Sequence, residues 1–328
     1  MYRFDTFHDE LCLELLENVH TKTFHQAYIF EGPEGLNILE SAKLFATALT
    51  CERRASAPCG ECDACKLSYA GTNPDIVFID SGDKKSIGVD AIRNIQKDIY
   101  VRPFKSENKV YIITDGTLLT AEAQNAMLKI LEEPPEYVVF IIIATTASAL
   151  LQTISSRAVK LRFMPLSEDA MRRYLREKHP ESGNHEFLIR FSEGIPKRCD
   201  DILSDESFEP LRLEASKMLI PLLSKHKISA FKVAEFVEAN KDKVGTILNL
   251  WQSFLRDIFL MQNGAPELTA NPDLKDELSK LASMLPEKYV SNAINRIIIA
   301  KNMNRRQVNL HALVLNLSFS IKKGSKSK

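Results

Sequence analysis

The sequence predicts an α/β domain built on a parallel β-sheet, followed by a C-terminal half made only of helices. Two observations support this prediction. Over the first 165 residues, short apolar runs typical of strands alternate with helical patterns, which indicates βαβ units and a sheet that is covered on both faces. After Pro165 the strand-like runs stop, and the remaining pattern is that of helices.

The first half contains five strand-like segments with four helical patterns between them. Two of the apolar runs are nearly continuous, which fits central strands buried on both faces. The predicted strands are Ala27–Phe30, Ile76–Asp80, Val110–Ile113, Val138–Ala144 and Val159–Phe163. The predicted helices are Ile38–Leu49, Val89–Tyr100, Ala121–Glu132 and Ala149–Ser155.

The second half is predicted to form a small helical domain, an acidic linker at Asp201–Pro210 and a helical bundle. The predicted domains are residues 1–164, 165–205 and 206–328. Glycine and proline breaks separate the predicted bundle helices, which are Ala215–Ser224, Ala230–Asn240, Val244–Asn263, Asp273–Leu285 and Glu287–Ile321.

Composition excludes several classes of protein. A chain of 328 residues with 45% apolar and 26% charged residues is typical of a soluble globular protein of two or three domains. The formal net charge of zero provides no global field that would attract nucleic acid or a membrane. The first ten residues carry acids and lack an apolar segment, and the longest apolar run, Val138–Ala144, is too short to span a bilayer. The sequence therefore predicts a cytoplasmic protein.

The segment after the first strand resembles a phosphate-binding loop that has lost its phosphate ligands. A working loop reads G-x-x-x-x-G-K-[ST]; its lysine reaches the phosphates and its hydroxyl residue holds Mg²⁺. Gly32 and Gly35 remain here, but Asn37 stands at the second glycine of the motif, Ile38 at the lysine and Leu39 at the hydroxyl residue. The pattern therefore predicts a nucleotide-binding fold that binds no ATP.

Four cysteines lie close together in the sequence, at Cys51, Cys59, Cys62 and Cys65. In a reducing compartment such a cluster indicates a metal site rather than disulfides. Zn²⁺ takes four tetrahedral ligands, and four thiolates leave no open coordination position. We therefore expect a structural zinc ion; the alternative is four incidental free thiols.

Several longer strings resemble the bacterial DNA polymerase III clamp-loader subunits, which belong to the AAA+ proteins. The segment TISSRA at 153–158 is similar to the Ser-Arg-Cys motif of that family, with alanine in place of cysteine. The other strings are TNPDIVFID (72–80), SIGVDAIR (86–93), VRPF (101–104), KVYII (109–113), AQNAMLKILEEPP (123–135) and ATT (144–146). The cysteine cluster after the first helix is another mark of this family.

The resemblance implies an architecture and a set of partners. Residues 1–164 would form an AAA+ module with an inserted zinc knuckle, residues 165–205 a lid, and residues 206–328 a collar that assembles a ring. The partners would be gamma/tau-type ATPase subunits and a delta-type subunit in a hetero-pentamer. The sliding clamp and primed DNA would be reached through that complex, and no membrane is involved.

Within this family the chain resembles the delta-prime type, in which the ATP site has decayed but the arginine motif remains. Active members carry Asp-Glu where this chain has Thr114-Asp115, and threonine is a poor substitute for a carboxylate that binds Mg²⁺. Arg157 is then the expected arginine finger, acting in trans on the ATP site of a neighbouring subunit. The alternative for Arg157 is an ordinary surface arginine. Asp115 is expected to be a capping or structural group, and the alternative for it is a catalytic acid. Lys197, at the position of a nucleotide-sensing lid residue, is expected to be solvated.

Three functions are compatible with these patterns. The first is a non-hydrolysing structural subunit of the clamp loader, part of a DNA polymerase holoenzyme but without ATPase or polymerase activity of its own. The second is an ATP-hydrolysing subunit, which Ile38 and Thr114 argue against. The third is a zinc-containing nucleic-acid-binding module, which the neutral charge disfavours. Four basic residues are either solvated or face DNA, with solvation favoured: Arg93, Lys97, Arg102 and Lys105.

Overall fold

The computed structural model describes residues 8–181, 185–223, 230–305 and 309–324. These residues divide into two compact units. The first unit holds the described residues up to Lys178 together with Gly194–Arg198, and the second holds His179–Glu193 and the described residues from Cys199 onward. The unit boundaries fall inside the segment 165–205, and the division into three domains stays a prediction.

The first unit is built on a five-stranded parallel sheet, which confirms the predicted fold class. The strand order is β2-β3-β4-β1-β5. The middle strand β4 pairs with β3 on one side and with β1 on the other, and every residue of β3 is buried, as expected for central strands. The strands are β1 (Ala27–Glu31), β2 (Ile76–Ile79), β3 (Lys109–Ile113), β4 (Val138–Ala144) and β5 (Val159–Arg162).

Helices cover both faces of this sheet. Residues along β1 alternate between two apolar clusters, with Tyr28 and Phe30 in one and Ala27 and Ile29 in the other, because successive side chains of a strand point to opposite faces. The helices of this unit are α1 (Asp9–His20), α2 (Ile38–Thr50), α3 (Asp63–Tyr69), α4 (Val89–Asp98), α5 (Ala121–Glu132), α6 (Gln152–Ser155) and α7 (Glu168–Lys178). Short 3₁₀ turns occur at Arg54–Ser56, Gly116–Leu118 and Ala147–Ala149.

The described residues of the second unit form helices and short connecting turns, with no strand among them. Its helices are α8 (His185–Phe191), α9 (Pro196–Ser204, whose first residues belong to the first unit), α10 (Phe208–Leu223), α11 (Ala230–Ala239), α12 (Val244–Gln262), α13 (Lys275–Met284), α14 (Glu287–Arg305) and α15 (Leu310–Gly324). Short 3₁₀ turns occur at Lys241–Lys243, Pro266–Leu268 and Pro272–Leu274.

The prediction of one long helix over Glu287–Ile321 is wrong. The structure has two helices there, and they pack against each other in opposite directions: the Tyr289 hydroxyl near the start of α14 donates to the carbonyl of Ile321 near the end of α15, at 2.9 Å. The Asn309 side chain accepts a hydrogen bond from the Ala312 N–H at 3.0 Å. Asparagine is a strong N-cap residue, so it marks the start of a new helix.

The predicted linker at Asp201–Pro210 is also wrong for most of its length. Helix α9 continues to Ser204, and α10 already begins at Phe208. The Asp205 carboxylate accepts the Ser207 N–H at 3.0 Å, and a proline is tolerated in the first turn of a helix because no intrahelical partner is needed there. Acidic composition therefore reflected helix ends rather than a linker.

Across the described ranges, none of the helices combines the length and apolar character needed to cross a bilayer.

Candidate functional site

The parallel sheet separates the predicted site residues between its two ends. Gly32 follows β1 and Thr114 follows β3, so both lie at the carboxyl edge of the sheet. Arg157 precedes β5 and therefore lies at the opposite, amino edge. The structure thus brings the degenerate loop and the degenerate acidic motif to one end of the sheet and places the arginine at the other.

The loop after β1 keeps the backbone shape of a tight strand-to-helix turn. Gly35 has φ +93° and Asn37 has φ 56°, left-handed conformations that glycine and asparagine adopt most readily. A Cβ on Gly32 would lie 2.7 Å from the carbonyl oxygen of Phe163 and 2.9 Å from Cδ1 of Ile38. The sequence therefore needs glycine at Gly32 because of close packing.

Apolar side chains occupy the place of the phosphate ligands. Ile38 is the first residue of α2 and is only 6% exposed within a core cluster, against which Leu39 also packs. Leu36 is buried, and its carbonyl accepts a hydrogen bond of 3.0 Å from Nε2 of His8. This part of the loop supports the core and offers no cation to a phosphate.

Lys197 lies against the same loop. Its Nζ pairs with Oε1 of Glu34 at 2.9 Å, and its backbone N–H donates to the carbonyl of Gly35 at 3.2 Å. A Cβ on Gly35 would approach the Lys197 Cβ to 2.8 Å. Lys197 is about half exposed, so the expectation of a solvated lysine holds only in part, because its charge is matched by a loop carboxylate.

The side chains of the two residues after β3 make hydrogen bonds to groups of their own fold. The Thr114 hydroxyl donates to the carbonyl of Ile79 at 3.3 Å. The Asp115 carboxylate accepts the Thr117 N–H at 2.9 Å and the Thr117 hydroxyl at 2.6 Å, so it caps the turn that follows. The capping role considered for Asp115 matches this geometry.

The four cysteines meet in one cluster and can hold a metal ion. Their four sulfur atoms all lie within 4.8 Å of one another, and Sγ of Cys51 and Cys62 are 3.9 Å apart. A tetrahedral zinc–thiolate site with bonds of about 2.3 Å requires sulfur atoms about 3.8 Å apart. The spacing and the donor type both fit such a site.

Backbone N–H groups point at these sulfur atoms. Cys51 Sγ accepts from the N–H of Arg53 at 3.4 Å, and Cys62 Sγ accepts from the N–H of Cys65 at 3.4 Å. Hydrogen bonding with Cys65 lowers the pKa of Cys51 to about 5, and the same bond raises the pKa of the Cys65 thiol. Without a metal ion, the hydrogen bonds of the cluster therefore favour deprotonation of a single cysteine. Several thiolates so close together need a bound cation to offset their mutual repulsion.

Arg157 has two contacts at the amino edge. Its Nη2 lies 2.9 Å from Oε1 of Glu132, and its Nη1 donates to the carbonyl of Thr153 at 3.0 Å. The side chain is 37% exposed and lines a cleft of about 350 Å³ with His25 and Gln26. The arginine is therefore open to an incoming group and not buried in its own fold.

Two residues that fix this unit escaped the sequence analysis, although both stand in a quoted string. The buried Asp75 carboxylate accepts the backbone N–H groups of Phe104, Lys105 and Ser106 at 2.6–3.1 Å. The Asn73 amide donates to the carbonyl of Ala64 at 3.3 Å and so ties down α3, the helix of the cysteine cluster. The only sequence signal was the Asn-Pro-Asp turn, which does not reveal such distant partners.

Comparison with known proteins identifies the family. Residues 7–167 match the family described as "DNA polymerase III, delta subunit", and residues 211–317 match "DNA polymerase III, delta subunit, C terminal". The chain is 27% identical over 316 residues to the DNA polymerase III subunit delta' of Bacillus subtilis, covering 94% of each. The chain belongs to the delta-prime family of DNA polymerase III clamp-loader subunits.

The similarity extends to other DNA polymerase III subunits. The chain is 39% identical over 151 residues to subunit tau of Bacillus subtilis, which is 46% of this chain but only 26% of the relative. A solved structure of a Bacillus subtilis DNA clamp loader delta protein aligns over 95% of this chain and 99% of its own, at 13% identity and a TM-score of 0.36.

The loop of this clamp-loader subunit allows a direct stability prediction. Replacing Ile38 by alanine removes a buried side chain from the core, and we expect the free energy of unfolding to fall by about 2–5 kcal/mol. Ile38→Val, which removes a single methylene group, should cost about 0.5–1.5 kcal/mol. Urea denaturation of both variants and the wild type is the measurement. Equal midpoints for all three would show that Ile38 does not support the core.

Proposed function

We propose that the chain is a non-hydrolysing structural subunit of the DNA polymerase III clamp loader. In this role it supplies Arg157 in trans to the ATP site of a neighbouring subunit. The ring would use that ATP to open the sliding clamp and load it on primed DNA. The observation that supports this proposal most directly is the position of Arg157 at the sheet edge opposite to its own degenerate loop.

The geometry of the sheet separates Arg157 from its own loop. Tyr28 on β1 pairs with Val159 on β5, so Arg157 lies beyond the level of Tyr28. Gly32 lies four residues after Tyr28, which corresponds to about 13 Å at 3.3 Å per residue. A guanidinium at the amino edge lies far from the nucleotide loop of its own chain, as expected of a residue that serves another subunit.

The proposal includes an assembly. The AAA+ module at 1–164, the lid at 165–205 and the collar at 206–328 would join gamma/tau-type and delta-type subunits in a hetero-pentamer. Family membership and the matches to both terminal regions support this part of the proposal. A cytoplasmic location remains the expectation from the sequence.

The first test of the proposal concerns nucleotide. We expect the isolated chain neither to bind Mg-ATP in the micromolar range nor to hydrolyse it. Such affinity corresponds to about −8 kcal/mol, and Ile38 and Leu39 offer neither charge nor hydroxyl for it. Calorimetric titration with Mg-ATP checks this, with the matching ATPase subunit as the positive control. Saturable binding or turnover that survives repurification would favour the alternative of an ATP-hydrolysing subunit.

The second test concerns the metal. We propose that Cys51, Cys59, Cys62 and Cys65 hold one structural zinc ion, because four thiolates complete its coordination. Elemental analysis of protein purified without added zinc should find about one zinc per wild-type chain and much less in Cys62→Ser/Cys65→Ser. The control is Cys199→Ala, a buried cysteine outside the cluster. Equal zinc content in the wild type and the double variant would rule out this site.

The third test concerns Arg157. In a reconstituted loader with clamp and primed DNA, Arg157→Ala should assemble normally but lower the ATPase rate in part and the clamp-loading rate more strongly. An arginine finger in trans is worth roughly 10³–10⁵ in rate at its own site, whereas a ring with several ATP sites loses only one finger. Steady-state ATPase and clamp-loading assays give both rates.

The matched control for this variant is Arg176→Ala. Arg176 is also an exposed arginine, and like Arg157 it donates to the carbonyl four residues earlier, at 3.3 Å. Its loss should leave both rates unchanged. If Arg157→Ala assembles and works at wild-type rates, Arg157 is an ordinary surface residue and the trans role is wrong.

A further inference from the structure

The contact between Arg157 and Glu132 joins two elements that are distant in sequence. Glu132 is the last residue of α5, and Arg157 lies between α6 and β5. The contact is a direct ion pair of 2.9 Å, and the carbonyl of Thr153 holds the other terminal nitrogen of Arg157 at 3.0 Å. The guanidinium is thus restrained at two of its three nitrogens.

Glu132 stands where helix energetics disfavour an acid. The C-terminus of a helix carries partial negative charge, so acidic side chains in the last turn are destabilising and basic ones are favoured. Glu132 is 54% exposed, and burial therefore does not explain its presence at this position. The described contact that does explain it is the ion pair with Arg157.

Both partners sit on anchored backbone. The Gln26 amide donates to the carbonyl of Pro135 at 2.8 Å and so fastens the segment that follows α5 to the start of β1. On the other side, the Ser155 hydroxyl donates to the carbonyl of Ala147 at 3.0 Å, and the Arg157 N–H donates to the carbonyl of Ile154 at 3.0 Å. An ion pair between two fixed elements loses less side-chain entropy than one between mobile chains.

We propose that Glu132 is a positioning residue for the arginine finger, an inference that rests on the proposed function of Arg157. A guanidinium has five N–H donors, and the contacts with Glu132 and Thr153 use two of them. Three donors remain for an oxygen of a triphosphate bound to the neighbouring subunit. Glu132 holds the guanidinium in one orientation before that triphosphate arrives, so less rotamer freedom is lost in the transition state.

The experiment measures steady-state ATPase activity of the reconstituted loader with clamp and primed DNA. The variants of this chain are Glu132→Ala, Glu132→Gln, Arg157→Ala and the double variant Glu132→Ala/Arg157→Ala. The matched control is Glu133→Ala, which removes the same charge one residue further along, from an exposed position. Melting temperatures and assembly of every variant are measured alongside.

We expect Glu132→Ala to lower kcat about two- to fivefold, the range of an ion pair of this kind, with KM for ATP unchanged. Glu132→Gln should recover most of the loss, because its amide oxygen still accepts from Nη2 of Arg157. Glu133→Ala should match the wild type. In the Arg157→Ala background, Glu132→Ala should have no further effect, because a positioning residue acts only through the residue it positions.

Each of the other outcomes would contradict a specific part of the proposal. An equal loss from Glu132→Ala in both backgrounds would mean that Glu132 acts through folding or assembly, and a rise in kcat would mean that its carboxylate competes with the phosphate. A normal rate for Glu132→Ala with a reduced rate for Arg157→Ala would remove the positioning role alone. Normal rates for Arg157→Ala would remove the arginine finger, and the role of Glu132 with it.

Discussion

The parallel direction of all five strands is the constraint on which the rest of this structure depends. Because every strand of the sheet runs the same way, the segments after the strands gather at one edge and the segments before them at the other. The degenerate loop and Thr114 therefore share one end, and Arg157 occupies the opposite end. Because the two edges are built from different segments, the side chains at one edge can change without a change of fold at the other.

At the carboxyl edge, residues that would contact nucleotide in an active loop have become part of the core. Ile38 packs beside Gly32, the Leu36 carbonyl is held by His8, and Lys197 is paired with Glu34. Apolar burial of this kind is favourable by roughly 25 cal/mol per Å², whereas a lysine at Ile38 would have to remain charged in the same cluster. Stability and phosphate binding thus make opposite demands on this position.

The sequence was a good guide wherever one local signal decided the outcome. The runs of apolar residues identified all five strands, and the cysteine spacing identified a cluster that the fold does bring together. It failed where the deciding partner was distant in sequence. No local pattern within Glu287–Ile321 predicts that Tyr289 will contact Ile321. The only local signal for the start of α15 is a single N-cap residue, Asn309. The Asp75 contacts were hidden for the same reason, since they join the residue just before β2 to a loop about thirty residues later.

The ion pair of Glu132 and Arg157 shows what a local preference, here that of the helix dipole, can and cannot indicate about a partner distant in sequence. An acid at the end of α5 runs against the preference set by the helix dipole. The sequence alone does not show whether Glu132 is solvated or paired, nor which basic residue would pair with it, because Glu132 and Arg157 are 25 residues apart and meet only when β4, β1 and β5 pair. The unfavourable position of Glu132 can be seen in the sequence, but the ion pair with Arg157 can be seen only in the three-dimensional structure. Surface residues in locally unfavourable positions are therefore good candidates for functional residues, since proteins tend to depart from local preferences at functional sites.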